Sequence, residues 1–117
     1  MAYIESYVLP VLTARIDDYI RIATDSARIW LELGALSVME ARADNAPQGD
    51  LTSFPRSVAL TDDETVFVSY ITFHDRPHRD AVMAKMEDDP RMMELFSTAP
   101  VDGKRMIWGG FEVVVAA

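Results

Sequence analysis

Ala2-Tyr3-Ile4-Glu5-Ser6-Tyr7-Val8-Leu9, followed beyond Pro10 by a run with helical spacing from Ile16 to Gly34, decides the fold. In the first segment Tyr3, Glu5, Tyr7 and Leu9 point to one face of a strand, and Ile4, Ser6 and Val8 to the other. Pro10 has no N–H to give a ladder, so it ends this strand or leaves it at an edge. Beyond it Ile16, Ile20, Ala23, Ala27, Trp30 and Gly34 recur at helical spacing, with Asp17, Asp18, Arg21, Asp25, Arg28 and Glu32 off that line. The spacing predicts an amphipathic helix of about five turns. Asp17 and Asp18 suit its positive N-terminal end, and Gly34 can take the left-handed conformation that stops it.

Working outward, Ala35 to Ala43 reads as a second strand and Asp44-Asn45-Ala46-Pro47-Gln48-Gly49-Asp50 as a loop of turn formers. Phe54 to Leu60 and Thr65 to Phe73 read as a hairpin across Thr61-Asp62-Asp63-Glu64, an acidic turn taken as a solvated tip. Pro77 fits the first turn of a helix running to about Glu87. Pro90 starts a short helix through Phe96, and Lys104 to Val115 is the last strand. The order predicts an α+β domain spanning residues 1–117, a ferredoxin-like split β-α-β arrangement with an antiparallel sheet and an added hairpin strand. Helices would cover one face of that sheet. Because Tyr7, Val68 and Trp108 cannot all lie beneath them, the other face needs a partner, and pairing of sheets in a homodimer is the simplest one.

Composition narrows the partners. Half of the 117 residues are hydrophobic, 26% are charged and the net charge is −8. That balance suits an ordered domain and a field that repels nucleic acid and anionic membranes. No cysteine is present for a disulfide, a thiolate nucleophile or a thiolate metal site. The N-terminus lacks a basic segment followed by an apolar run, and no stretch suits a membrane span, so a cytoplasmic location is expected.

Several stretches carry a resemblance. They are Arg79-Asp80-Ala81 with Lys85-Met86, Asp89-Pro90-Arg91-Met92, and Asp102-Gly103-Lys104-Arg105-Met106-Ile107 with Gly109-Gly110-Phe111-Glu112. Together with Gly34-Ala35-Leu36, Glu40, and Pro47, Gly49, Thr52 and Phe54, they resemble the YbaA-like family of small bacterial proteins, a domain of unknown function. The resemblance implies a dimeric α/β barrel of ferredoxin-like protomers and no particular reaction. The chain departs from the family pattern at Met83, Val101 and Trp108, where Asn, Phe and Tyr are usual, and at Ala41, where a Cys is usual.

Glu5, Glu40 and Glu112 stand out because carboxylates are depleted in strands. Two on one face would raise one pKa into the range of a general acid or base; alternatively they are solvated or paired with Arg42, Lys104 or Arg105. Lys104 and Arg105, with Arg91 or Arg79, would hold a carboxylate or phosphate, or else tie the short helix and dimer rim to nearby acids. His74 and His78 lack a third ligand at metal spacing, and the methionines Met83, Met86, Met92, Met93 and Met106 read as pliable core or pocket lining; no metal is expected. Gly109-Gly110 marks a bulge or a close approach by another backbone or ligand.

Two functional classes follow. One is a binding protein for a small anionic or aromatic metabolite, in a pocket lined by Tyr7, Phe67, Tyr70, Met86, Met106 and Trp108. The other is a cofactor-free enzyme, isomerase-like or monooxygenase-like, with Glu40 or Glu112 as acid-base group and Lys104 or Arg105 orienting the substrate.

Overall fold

The computed structural model describes residues 2–117. Its elements run β1 (Tyr3–Leu12), α1 (Ile16–Leu33), β2 (Ser37–Arg42), α2 (Phe54–Ser57), β3 (Glu64–Phe73), α3 (Arg76–Glu87), α4 (Pro90–Thr98) and β4 (Ile107–Glu112). The strands form one antiparallel sheet in the order β2-β3-β1-β4, the ferredoxin-like arrangement. The sheet is open, with β2 and β4 as its edges, so a protomer does not close into a barrel.

Local signals explain most boundaries. Gly34 ends α1 at φ 117°, a left-handed conformation that costs a glycine little. Asp75 and Asp89 cap α3 and α4 by accepting hydrogen bonds from the His78 and Arg91 amides, with Pro77 and Pro90 in the first turns. Pro10 neither ends β1 nor sits at an edge of the sheet, because the strand runs on to Leu12. The Leu12 amide bonds the Pro100 carbonyl on the β4 side, and Pro10 lies in the gap between that contact and the last β1–β4 pair, Val8 with Ile107. The ladder therefore loses nothing there.

The expected strand Phe54–Leu60 is absent, and with it the hairpin and the added strand. Ser53 accepts a hydrogen bond from the Arg56 amide and Pro55 occupies the first turn, so these residues form a short helix. The core face of α1 also differs from the predicted line: Tyr19, Ile22, Ser26, Ile29 and Trp30 are buried, whereas Ile20 is 45% exposed.

Register sorts the side chains. Glu5 pairs with Ile71 and Gly110, and Tyr7 with Ser69 and Trp108, while Glu40 faces Ser69 from the other side. By strand alternation, Tyr3, Glu5, Tyr7, Leu9, Val38, Glu40, Arg42, Phe67, Ser69 and Ile71 share the helix-covered face with Trp108 and Glu112. Ile4, Val8, Met39, Val68, Tyr70, Ile107 and Phe111 share the other. Met39, Tyr70, Ile107 and Phe111 there are exposed in the protomer. Tyr7 and Trp108 thus lie on the helix side and Val68 opposite, which answers the question the sequence raised.

Candidate functional site

Between the sheet and the helices lies a cavity of about 390 Å³. β1 supplies Tyr7 and Leu9, β2 Val38 and Glu40, β3 Ser69 and Ile71, and α1 Tyr19, Ile22, Ala23, Ser26 and Trp30. Met86, Phe96, Ala99, Val101, Gly103 and Met106 close the far end. The lining is mostly apolar, and its one carboxylate is Glu40.

Glu40 lies on the edge strand β2, where the residue as a whole is exposed, and its carboxyl reaches across to α1. Tyr19 donates its hydroxyl to Glu40 Oε1 at 2.6 Å, and the buried Ser69 is the cross-strand partner of Glu40 on β3. Desolvation of the carboxyl raises the Glu40 pKa above the ordinary carboxylate value, while the Tyr19 hydrogen bond and the nearby Ser69 hydroxyl pull it back. Burial also raises Tyr7, helped by the negative charge of Glu5 and then of Glu40, with Arg79 pulling it back. Glu40, Ser69 and Tyr7 therefore form a polar row across three strands on the cavity floor.

A second polar cluster lies outside the lining. Glu5 is fully buried, 3.8 Å from Arg79 Nε. Among the described residues, both its carboxylate oxygens and Arg79 Nε lack a hydrogen-bond partner. Burial raises the Glu5 pKa, against the pull of Arg79. Arg79 donates to the Tyr3 hydroxyl at 2.9 Å and stacks over that ring. A Cβ on Gly110 would overlap Tyr3 Oη and come within 2.8 Å of Arg79 Nη2, so what crowds Gly110 is this chain's own side chains and not the backbone or ligand expected at Gly109-Gly110.

The other sequence candidates fall elsewhere. Glu112 and Trp108 are exposed on the edge strand β4, Tyr70 points from the opposite face, and Lys104 is exposed; none lines the cavity. Arg105 donates from Nε to Asp102 and from Nη1 to Glu64 Oε1, each at 2.8 Å, from Nη2 to Glu64 Oε2, and from Nη1 to the carbonyls of Val58 and Ala59. Glu64 is thus no solvated turn residue: its side chain is 6% exposed. The cations expected to cluster are held apart, Arg91 by Glu32 and Asp89, Arg79 by Glu5 and Asp80. His78 accepts from the His74 amide at Nδ1 and donates from Nε2 to the Gly34 carbonyl, so both ring nitrogens serve the fold. Of the polar residues lining this cavity the sequence pointed to Glu40 and Tyr7 and not to Tyr19 and Ser69, whose polar ends look unremarkable on a helix and a strand. Among the described residues no group of three or more His, Asp or Glu is placed to hold a metal ion.

Residues 2–103 match the family model described as "Protein of unknown function (DUF1428)". The chain is 38% identical over 115 residues to the uncharacterized protein YbaA of Escherichia coli K12, covering 98% of each, and equally similar to its counterpart in Shigella flexneri. Among solved structures it resembles a dimeric ferredoxin-like protein from an uncultured marine organism, with a TM-score of 0.66, 14% identity and coverage of 99% and 98%. It also resembles a mutant of SnoaB, a cofactor-independent oxygenase from Streptomyces nogalater, with a TM-score of 0.65, 11% identity and coverage of 98% and 95%. At these identities the two structures speak for the fold.

Proposed function

Because the chain belongs to the family of unknown function DUF1428, its role must be argued from its own geometry, and we propose a homodimeric protein that binds a small, largely apolar molecule between sheet and helices. One observation carries this reading: the Glu40 carboxyl, bonded by the Tyr19 hydroxyl and beside Ser69, is the one acid among the described residues that line an apolar cavity of about 390 Å³. That volume lies within the roughly 300–1,000 Å³ usual for ligand sites. The lining favours an aromatic molecule with a hydroxyl to donate to Glu40. A thermal-shift screen against phenolic and aromatic metabolites tests it, since a ligand of the native state raises its melting temperature. Hits should weaken in Glu40→Gln; ligands that stabilise both proteins equally count against the site.

The homodimer draws support from the bare apolar face of the sheet and from the dimeric neighbour. Light scattering should give twice the 13.1 kDa protomer mass, and Val68→Asp should halve it. A wild-type protein of 13.1 kDa at micromolar concentration overturns the dimer.

A second reading, a cofactor-free enzyme, is favoured by the raised Glu40 pKa, which suits a general base, and by the oxygenase among the structural neighbours. Proton exchange into a bound phenol or enol from heavy water, lost in Glu40→Gln, would support it; no exchange in any stabilising ligand would oppose it.

A further inference from the structure

Two hollows meet at Glu40. Besides the cavity already described, a more open groove of about 430 Å³ runs between α1 and the edge strand β2. Tyr19, Ala23, Val38 and Glu40 line both, so the Tyr19–Glu40 hydrogen bond stands in the wall between them. The groove adds Thr24, Phe67 and Arg42, and among the described residues Arg42 is the only cation lining either hollow.

Arg42 is also unlike the other arginines of this acidic chain. Arg15, Arg21, Arg28, Arg76, Arg79, Arg91 and Arg105 each pair with an acid, and Arg56 bonds the Gln48 and Gly49 carbonyls. Among the described residues Arg42 does neither. It lies two residues beyond Glu40 on the same strand face, about 6.6 Å along the chain by strand geometry. An acid-accepting guanidinium and a hydroxyl-accepting carboxylate thus stand side by side at the mouth of an apolar chamber.

We propose that the two hollows form one site for an aromatic hydroxy acid, with its rings in the inner cavity, its hydroxyl on Glu40 in place of Tyr19, and its carboxylate on Arg42. This rests on the ligand-binding reading and specifies the ligand class. A neutral ligand would leave the arginine unused, and a cation would meet it with like charge. The guanidinium offers a carboxylate two parallel donors, a geometry that lysine lacks.

Calorimetric titration of the full chain with three probes tests the assignment: a hydroxynaphthoate bearing its two groups on opposite rings, naphthol, and naphthoate. Arg42→Gln should weaken both acids about tenfold and leave naphthol unchanged, as expected for losing a charge-assisted contact. Glu40→Gln should weaken the two hydroxylated probes and spare naphthoate. If the acids bind Arg42→Gln as tightly as wild type while naphthol still depends on Glu40, the Arg42 subsite is wrong and the cavity reading stands. If no probe binds, or none senses Glu40, both fall. Arg42 is exposed at the end of an edge strand, so its replacement leaves the fold intact.

Discussion

Replacing Arg105 by Met separates a structural cation from a ligand-binding one. Arg105 joins the start of β3 through Glu64, the segment after α2 through the Val58 and Ala59 carbonyls, and its own turn through Asp102. Hydrogen bonds from Arg105 lower the Glu64 pKa from 4.5 to about 2. That gap corresponds to roughly 3 kcal/mol of preference for the carboxylate in the folded protein. Arg105 is 27% exposed, and solvent screening reduces the contribution to about 2 kcal/mol. A carboxyl whose folded pKa lies below its unfolded one stabilises the fold fully above about pH 5 and loses that effect as pH falls towards about 2. Urea denaturation should therefore find Arg105→Met less stable by about 2 kcal/mol near pH 7, roughly 8 °C in melting temperature for a domain of this size. The difference should shrink by more than half near about pH 3, leaving the part due to the two carbonyls. Glu64→Gln should reproduce the pH-dependent part alone. A variant as stable as wild type that loses ligand would make Arg105 the anion-binding residue its sequence position suggested.

Gly110→Ala should cost about 2 kcal/mol, read as a lower urea midpoint, because the new methyl has no space beside Tyr3 and Arg79; an unchanged midpoint would mean that Tyr3 swings aside freely. Arg79→Met leaves the buried Glu5 carboxylate without its cation. The loss should be up to about 3 kcal/mol near pH 7 and smaller near about pH 4, where Glu5 can take a proton; equal losses at both would show that the pair is not electrostatic. In Tyr19→Phe the Glu40 carboxyl loses a hydrogen bond that holds its pKa down, so its titration followed by NMR should move to higher pH. A midpoint that stays put would remove Tyr19 from the site.

The parts legible in the sequence are those fixed by neighbours along the chain. Gly34, the Asp75 and Asp89 caps with their prolines, and the parity of Tyr3 to Leu9 all act within one turn or one strand. The short helix α2 was legible in principle, since Ser53 and Pro55 carry its cap and first turn, but Phe54, Val58 and Leu60 alternate as a strand would. On α1 the buried line runs through Tyr19 and Ser26, whose hydroxyls disguise core positions, and so the reading settled one residue away on Ile20. Contacts across the chain left no such trace. Nothing near Glu64 points to Arg105, 41 residues on, nor anything near Glu5 to Arg79.

Each face of the sheet carries exceptions to the usual sorting, and the exceptions link the cavity to the proposed dimer. On the face that the helices cover stand Glu5, Tyr7, Glu40 and Ser69; on the bare face stand Val68, Tyr70, Ile107 and Phe111. A carboxylate drawn towards the helices costs desolvation and an exposed aromatic gains nothing from water, so neither set serves the protomer's own core, which Leu9, Val11, Phe67, Ile71 and Phe73 form on the covered face. Glu40, exposed as a residue, offsets that cost with the hydrogen bond from Tyr19, and the fully buried Glu5 with Arg79. Such compensation is retained where polar groups have a task inside, and apolar groups outside where a second surface covers them. One strand, β1, carries both patterns through its odd and even residues. A substitution that shifted its register by one residue would turn Glu5 and Tyr7 outward and Ile4 and Val8 inward, removing the cavity floor and the partner face together.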